Sequence, residues 1–89
     1  MERIQLPRVA VSRELASSLV RSRNKDASND QVELDARSLV VNNESFVSQL
    51  AQELQNARLS HVKIRGGSPE WQQSIELAVK QLGLELVTD

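Results

Sequence analysis

The stretch that decides the fold is HVKIRGGSPEWQQSIELAVKQLGLELV, residues 61–87. It opens with a short strand pattern at 61–65, in which alternate residues are apolar. A glycine-rich turn follows, with Pro69 at the first helical position, which is typical of a helix start. Apolar residues then recur at helical spacing until Gly83, after which 84–87 form a last strand pattern. A strand, a helix and a strand in this order predict parallel strands joined by a crossover helix.

The same alternation extends towards the N-terminus. Apolar and acidic residues alternate at 31–36, which predicts a strand, and a broad apolar stripe predicts a helix at 44–57. The segment 3–11 is predicted to be an edge strand, because its proline lacks the N–H that a central strand must donate. A helix is predicted at 13–22, and the polar stretch 23–30 is predicted to be an exposed loop.

The predicted order is therefore β-α-β-α-β-α-β over one domain, residues 1–89. We expect an α/β fold with a small, mostly parallel sheet of about four strands covered by about three helices. Ser12, one of the pair Asn42 and Asn43, and Ser68 each precede a predicted helix, where their side-chain oxygens accept hydrogen bonds from free backbone N–H groups.

The composition excludes several classes of function. The chain has 89 residues, no cysteine and a single histidine, His61, so it holds neither a thiolate metal site nor a Ser-His-Asp triad. The aromatic residues are Phe46 and Trp71, and the net charge is −1, so nucleic-acid binding is not expected. We therefore expect no enzymatic activity, no cofactor and no metal site.

The hydropathy pattern favours a cytoplasmic protein. The longest apolar runs, such as residues 39–41, have only three residues, far short of the roughly 18 residues that a membrane span needs. The N-terminal residues 1–6 also lack the apolar segment of a secretory signal.

The small net charge hides an uneven distribution. Residues 1–25 carry six basic and two acidic side chains, whereas residues 26–89 carry five basic and ten acidic ones. The first segment could present a basic surface to an acidic partner or a phosphate, or it could be a solvated face of mixed charge.

Two acidic residues lie on one side of a predicted strand. Glu33 and Asp35 are two positions apart, so their side chains project to the same face of 31–36. Such a pair could bind a cation or take part in acid–base chemistry. The alternative is a solvated pair or a pair at the end of the strand.

The turn before the last predicted helix is a candidate anion site. Gly66, Gly67 and Ser68 lead into a helix N-terminus, whose free N–H groups and positive dipole end favour an anion. The spacing does not match the phosphate-binding P-loop or the dinucleotide-binding glycine pattern. The alternative is a tight turn with an ordinary helix cap.

Several of these segments, in order, resemble a STAS domain, the family of bacterial anti-sigma-factor antagonists. The resemblance rests on VELDA at 32–36, SFVSQL at 45–50, VKIRG at 62–66 and SPE at 68–70 with Gly83-Leu84, and it covers roughly residues 10–87. It implies a sheet covered by helices and a regulatory protein that acts by binding. The partner that it implies is a GHKL-type serine kinase that is also an anti-sigma factor.

In such a family, a serine at the start of the second helix is phosphorylated, and the added charge ends binding. Ser45 lies at that position, and Asn43, Glu44, Ser45 and Ser48 form the implied partner-binding surface. The sequence departs from the family pattern: Asn43 replaces an aspartate, Phe46 replaces a glycine, and Glu44 already places a negative charge beside the serine. These departures also allow a constitutive binder that is never phosphorylated.

Three functions follow from these observations. The first is a signalling module in a partner-switching system. The second is an accessory subunit of a larger assembly such as a transporter ATPase, and the third is a weak nucleotide or anion binder at Gly66–Ser68. The N-terminal edge of the sheet, without the hairpin usual in the family, would be open for a homodimer.

Overall fold

A computed structural model describes residues 2–22 and 31–87 of the chain. The strands in these ranges are β1 (Glu2–Gln5), β2 (Val9–Ala10), β3 (Gln31–Asp35), β4 (Val41–Asn42), β5 (His61–Arg65) and β6 (Glu85–Leu86). The helices are α1 (Arg13–Arg21), α2 (Glu44–Asn56) and α3 (Pro69–Gln81). The predicted loop at 23–30 lies outside the described residues.

The main sheet has four parallel strands in the order β1-β3-β5-β6. The predicted α/β class, with its parallel sheet of about four strands and its three helices, is confirmed. The register aligns Ile4 with Leu34 and Leu34 with Ile64, so apolar side chains share one face of the sheet. The three helices cover this face, because the buried stripes of α2 and α3, around Phe46 and Trp71, belong to the same core.

The opposite face of the sheet is charged. Arg3, Glu33 and Lys63 are aligned across β1, β3 and β5, and Asp35 is aligned with Arg65 one row further on. Parallel sheets usually have helices on both faces. In the described part of this chain, no helix lies on the charged face, and side chains of the strands themselves shield it.

Each helix begins at a side-chain cap. Ser12 Oγ accepts a hydrogen bond from the N–H of Leu15 at 3.1 Å, and Ser68 Oγ accepts one from Trp71 N–H at 3.1 Å. Of the pair Asn42 and Asn43, it is Asn43 that caps α2 in the same way. The predicted caps at Ser12 and Ser68 are confirmed. The longest of these helices have 13 residues, and no described helix is long and apolar enough to cross a membrane.

The N-terminal segment differs from the prediction of one edge strand. The segment breaks at Pro7 into β1, which joins the main sheet, and β2, which pairs in parallel with β4 in a separate two-stranded sheet. The carbonyl of Arg8 accepts hydrogen bonds from the N–H groups of Val40 and Val41, at 2.8 and 2.9 Å. The short apolar run at 39–41 therefore leads into a strand that the alternation of elements did not predict.

Candidate functional site

The strand and helix directions bring three helix N-termini to one edge of the molecule. Strands β1, β3 and β5 are parallel, and each is followed along the chain by a helix that returns over the sheet. The starts of α1, α2 and α3 therefore lie at the carboxyl ends of the strands, where open parallel sheets bind their ligands. We call this region the carboxyl edge. The two predicted site segments, 43–48 and 66–68, both lie on it.

The first turn of α2 presents polar side chains to solvent. Glu44, Ser45 and Ser48 are exposed, and their side chains make no hydrogen bond or ion pair with the described part of the chain. Asn43 has a different role. Its Oδ1 accepts from Phe46 N–H at 2.9 Å, and its Nδ2 donates to the carbonyl of Val11 at 2.9 Å. Asn43 thus fixes the start of α2 against the segment before α1, while the other three side chains are available for contact.

Four exposed valines lie in β2, in β4 and in the residues next to these strands. Val9 and Val41 are register partners in the β2–β4 sheet, and they are 54% and 47% exposed. Val11 and Val40, which are 44% and 67% exposed, lie next to β2 and β4 along the chain. We call these four residues the valine patch. Sequence reasoning missed it, because a run of apolar residues usually indicates burial and nothing local shows that β2 and β4 form a sheet of their own.

An open groove of about 420 Å³ separates β4 from the start of α3. The valine patch contributes Val40 and Val41 to one wall, and the first turns of α3 form the other. The lining residues are Val40, Val41, Asn42, Ser68, Glu70, Trp71 and Ser74. The groove therefore joins the apolar patch to a polar helix start.

The glycine turn at the candidate anion site is explained by packing. Gly66 and Gly67 have φ angles of 74° and 88°, which favour glycine. A Cβ on Gly67 would collide with Cδ1 of Trp71, and a Cβ on Gly66 would lie 2.6 Å from Cγ of Arg37. Ser68 caps α3, and the carbonyl of Gly66 accepts from Nε2 of Gln72 at 3.1 Å. These contacts account for the turn without a ligand.

Trp71 is the largest buried side chain in this region. It is 1% exposed, and its ring centroid lies 6.4 Å from that of Phe46. Its Nε1 is buried without a hydrogen-bond partner in the described part of the chain. The indole therefore lies between the groove, which it helps to line, and the core.

The acidic pair on β3 is buried and neutralised, which corrects the expectation of a solvated pair. Glu33 is 6% exposed and accepts hydrogen bonds from Nε of Arg3 at 3.0 Å and from Nε of Arg65 at 2.5 Å. Burial raises the pKa of Glu33, but the hydrogen bonds from the two arginines outweigh it and lower the pKa below its usual value.

Asp35 is held by a single arginine. The guanidinium of Arg37 donates to both carboxylate oxygens of Asp35, at 2.9 and 2.7 Å, and its backbone N–H donates at 3.1 Å. These hydrogen bonds lower the pKa of Asp35 to about 2. With their oxygens occupied by arginines, Glu33 and Asp35 are poorly suited to bind a cation or to exchange protons near neutral pH.

The histidine lies at the opposite end of β5. His61 Nε2 is 3.3 Å from a carboxylate oxygen of Glu85, and Nδ1 is 2.9 Å from Oγ of Ser60. Within 2–22 and 31–87, no group of three or more acidic, histidine or cysteine residues is arranged to hold a metal ion.

No family model, curated protein or solved structure matches this chain. The resemblance to STAS domains therefore rests on the quoted motifs and on the order of the elements. The description of the site rests on the geometry of the carboxyl edge.

Proposed function

We propose that this chain is a non-enzymatic regulatory protein-interaction module, similar to an anti-sigma-factor antagonist in a partner-switching system. The proposed contact surface consists of Glu44, Ser45 and Ser48 on α2 together with the valine patch. The observation that carries the proposal is an exposed serine in the first turn of a helix that follows the exposed Val40 and Val41 along the chain, and whose cap residue Asn43 contacts Val11.

The valine patch supports binding over catalysis. Burying apolar surface against a partner is favourable by about 25 cal/mol per Å², and contiguous exposed apolar patches commonly mark interaction sites. The chain already has a closed core that includes Phe46 and Trp71, so the patch is not needed to stabilise the fold. Its exposure is best explained by a partner that covers it.

Ser45 is suited to act as a switch at this surface. A phosphate there would lie at the N-terminus of α2, where free N–H groups and the helix dipole favour negative charge. Covering that phosphate with an apolar partner surface would be costly, because a buried charge without a counter-ion is unfavourable. Glu44 beside it opposes the phosphate by repulsion, so an arginine or lysine of the kinase would have to offset it.

Intact-mass measurement after incubation with a GHKL-type serine kinase and ATP tests the proposal. We expect one phosphate on the native chain and on Ser48→Ala, and none on Ser45→Ala. Ser48 is a matched control because it is exposed on the same helix one turn later. A complex that forms without phosphorylation and survives Ser45→Asp would favour the accessory-subunit alternative. Absence of both a mass gain and a complex would contradict the partner-switching proposal.

A further inference from the structure

We propose that the charged face of the main sheet binds an acidic segment of a partner protein, rich in aspartate or glutamate. This face is the surface of β1, β3 and β5 that no described helix covers. It lies on the other side of the sheet from α2 and its exposed serine, so this second contact surface is independent of the partner-switching proposal.

The carboxylates of this face lie beneath its arginines. The side chains of Glu33 and Asp35 are 8% and 5% exposed, whereas those of Arg3, Arg37 and Arg65 are 51%, 58% and 43% exposed. We call these three arginines the arginine cluster. Arg3 and Arg65 share Glu33, and Arg3 adds to the effect of Arg37 in lowering the pKa of Asp35. A molecule that approaches from solvent therefore meets guanidinium groups first.

The arginine cluster keeps hydrogen-bond donors for further carboxylates. Arg3 and Arg65 each bind Glu33 through Nε, at 3.0 and 2.5 Å, and their Nη groups form no hydrogen bond with the described part of the chain. Arg37 uses Nε and Nη2 on Asp35, which leaves Nη1. A guanidinium can bind a carboxylate through two parallel N–H donors. Because the buried carboxylates already hold the guanidinium groups, less side-chain freedom is lost when a partner binds.

The balance of charge around the cluster is positive. Its three arginines lie over two carboxylates, and Lys63 is the register partner of Glu33 on β5. Glu85, an exposed acidic residue that shares this face, is aligned with His61 and lies 3.3 Å from it. His61 is four residues before Arg65, so Glu85 lies about 13 Å from the cluster along the strand. This local excess of positive charge favours an anionic partner on a chain whose net charge is −1.

A protein segment fits this surface better than a nucleic acid or a membrane does. The two aromatic residues, Phe46 and Trp71, are buried in the core, so no base can stack on them. In the described ranges, none of the exposed large hydrophobic residues lies on β1, β3 or β5, so this face has no apolar anchor for a bilayer. It offers guanidinium donors held at fixed positions over neighbouring strands, which a series of carboxylates can match.

Fluorescence anisotropy with a labelled poly-glutamate peptide tests the inference, and a poly-glutamine peptide of the same length is the neutral reference. We expect the native chain to bind poly-glutamate at least tenfold tighter than poly-glutamine, with an affinity that falls as salt is added. Arg65→Gln and Arg37→Gln should each weaken binding at least threefold. Arg58→Gln is the matched control, because it removes the same charge from an exposed residue between α2 and β5. It should change the affinity by less than twofold.

Circular dichroism confirms that each variant is folded. If Arg65→Gln unfolds, Arg37→Gln carries the test, because it leaves Glu33 with both of its arginines. Equal binding of the two peptides, or a loss in Arg58→Gln as large as in the cluster variants, would overturn the inference. A single-stranded oligonucleotide or a phosphatidylserine vesicle that binds more tightly than poly-glutamate would overturn the choice of an acidic protein segment. None of these outcomes affects the kinase experiment, which reports on Ser45.

Discussion

The charged face of the sheet and the carboxyl edge both carry charged side chains, but only on the charged face are the carboxylates paired with arginines. On the charged face, Glu33 contacts two arginines and Asp35 contacts a third. At the carboxyl edge, Glu44 and Glu70 make no ion pair with the described part of the chain, and four valines remain exposed. The first surface pairs its own carboxylates, whereas the second leaves both charge and apolar area for another molecule.

The two regions also differ in what holds them in place. The charged face depends on side chains from β1, β3 and β5, brought together by their register, and on Arg37, which follows β3. At the carboxyl edge, the backbone is held by the cap of α3 and by the close packing of Gly67 against Trp71. We therefore expect the stability of the charged face to depend on its ion pairs and that of the carboxyl edge to depend on packing.

The largest expected change in unfolding free energy comes from a substitution at Gly67, in the turn before α3. Gly67→Ala places a Cβ at φ 88° and against the indole of Trp71. We expect unfolding free energy to fall by about 3 kcal/mol, from backbone strain together with overpacking. Gly83→Ala has a similar φ of 83° but nothing within 4 Å of the added Cβ, so it should lose only about 1 kcal/mol. Equal losses in urea unfolding would show that the contact with Trp71 is not what makes Gly67 necessary.

The next largest change in unfolding free energy is expected when a paired carboxylate is neutralised, and an unpaired carboxylate serves as the comparison. Glu33→Gln removes the charge between Arg3 and Arg65 and should lower the unfolding free energy by about 1–2 kcal/mol, because hydrogen bonds to charged groups are lost. Glu44→Gln, on the exposed turn of α2, should change it by less than about 0.5 kcal/mol. Chemical denaturation of both variants measures the difference. Similar values for the two would mean that the charged face gains little stability from its ion pairs.

The main sheet and the helices follow from local patterns in the sequence. Alternation at Val62 and Ile64, the stripe around Phe46 and the caps at Asn43 and Ser68 each act within a few residues. Several of the contacts that distinguish the two surfaces are long-range. Arg8 meets Val40 and Val41 across some thirty residues, and Glu33 is buried only because the register places arginines on both sides of it. Periodicity assigns a side chain to a face, but it does not show what lies opposite.

Acid should weaken the charged face first. The pKa of Asp35 is lowered from 3.8 to about 2 by Arg37, and that of Glu33 is also lowered. Groups with lowered pKa stabilise the folded state when ionised, fully above the ordinary carboxyl range and less as pH falls towards the folded value. The urea midpoint should therefore fall between about pH 4 and pH 2. The urea midpoint of Asp35→Asn should fall less steeply in this window than that of the native chain. A native midpoint that stays constant in this window would contradict the prediction.

The smallest effect on stability should come from the valine patch itself. Val40→Ala removes methyl groups that already contact water, so the unfolding free energy should change by less than about 0.5 kcal/mol. Val62→Ala removes the same atoms from a fully buried position and should cost about 2 kcal/mol, since it loses burial and leaves a cavity. Dilute protein is required, so that any dimer is dissociated and the measurement reports on one chain. If Val40→Ala costs as much as Val62→Ala under these conditions, the patch belongs to the core and its exposure needs no partner. If it costs nothing, the valines do not serve the fold and are available for contact with another molecule.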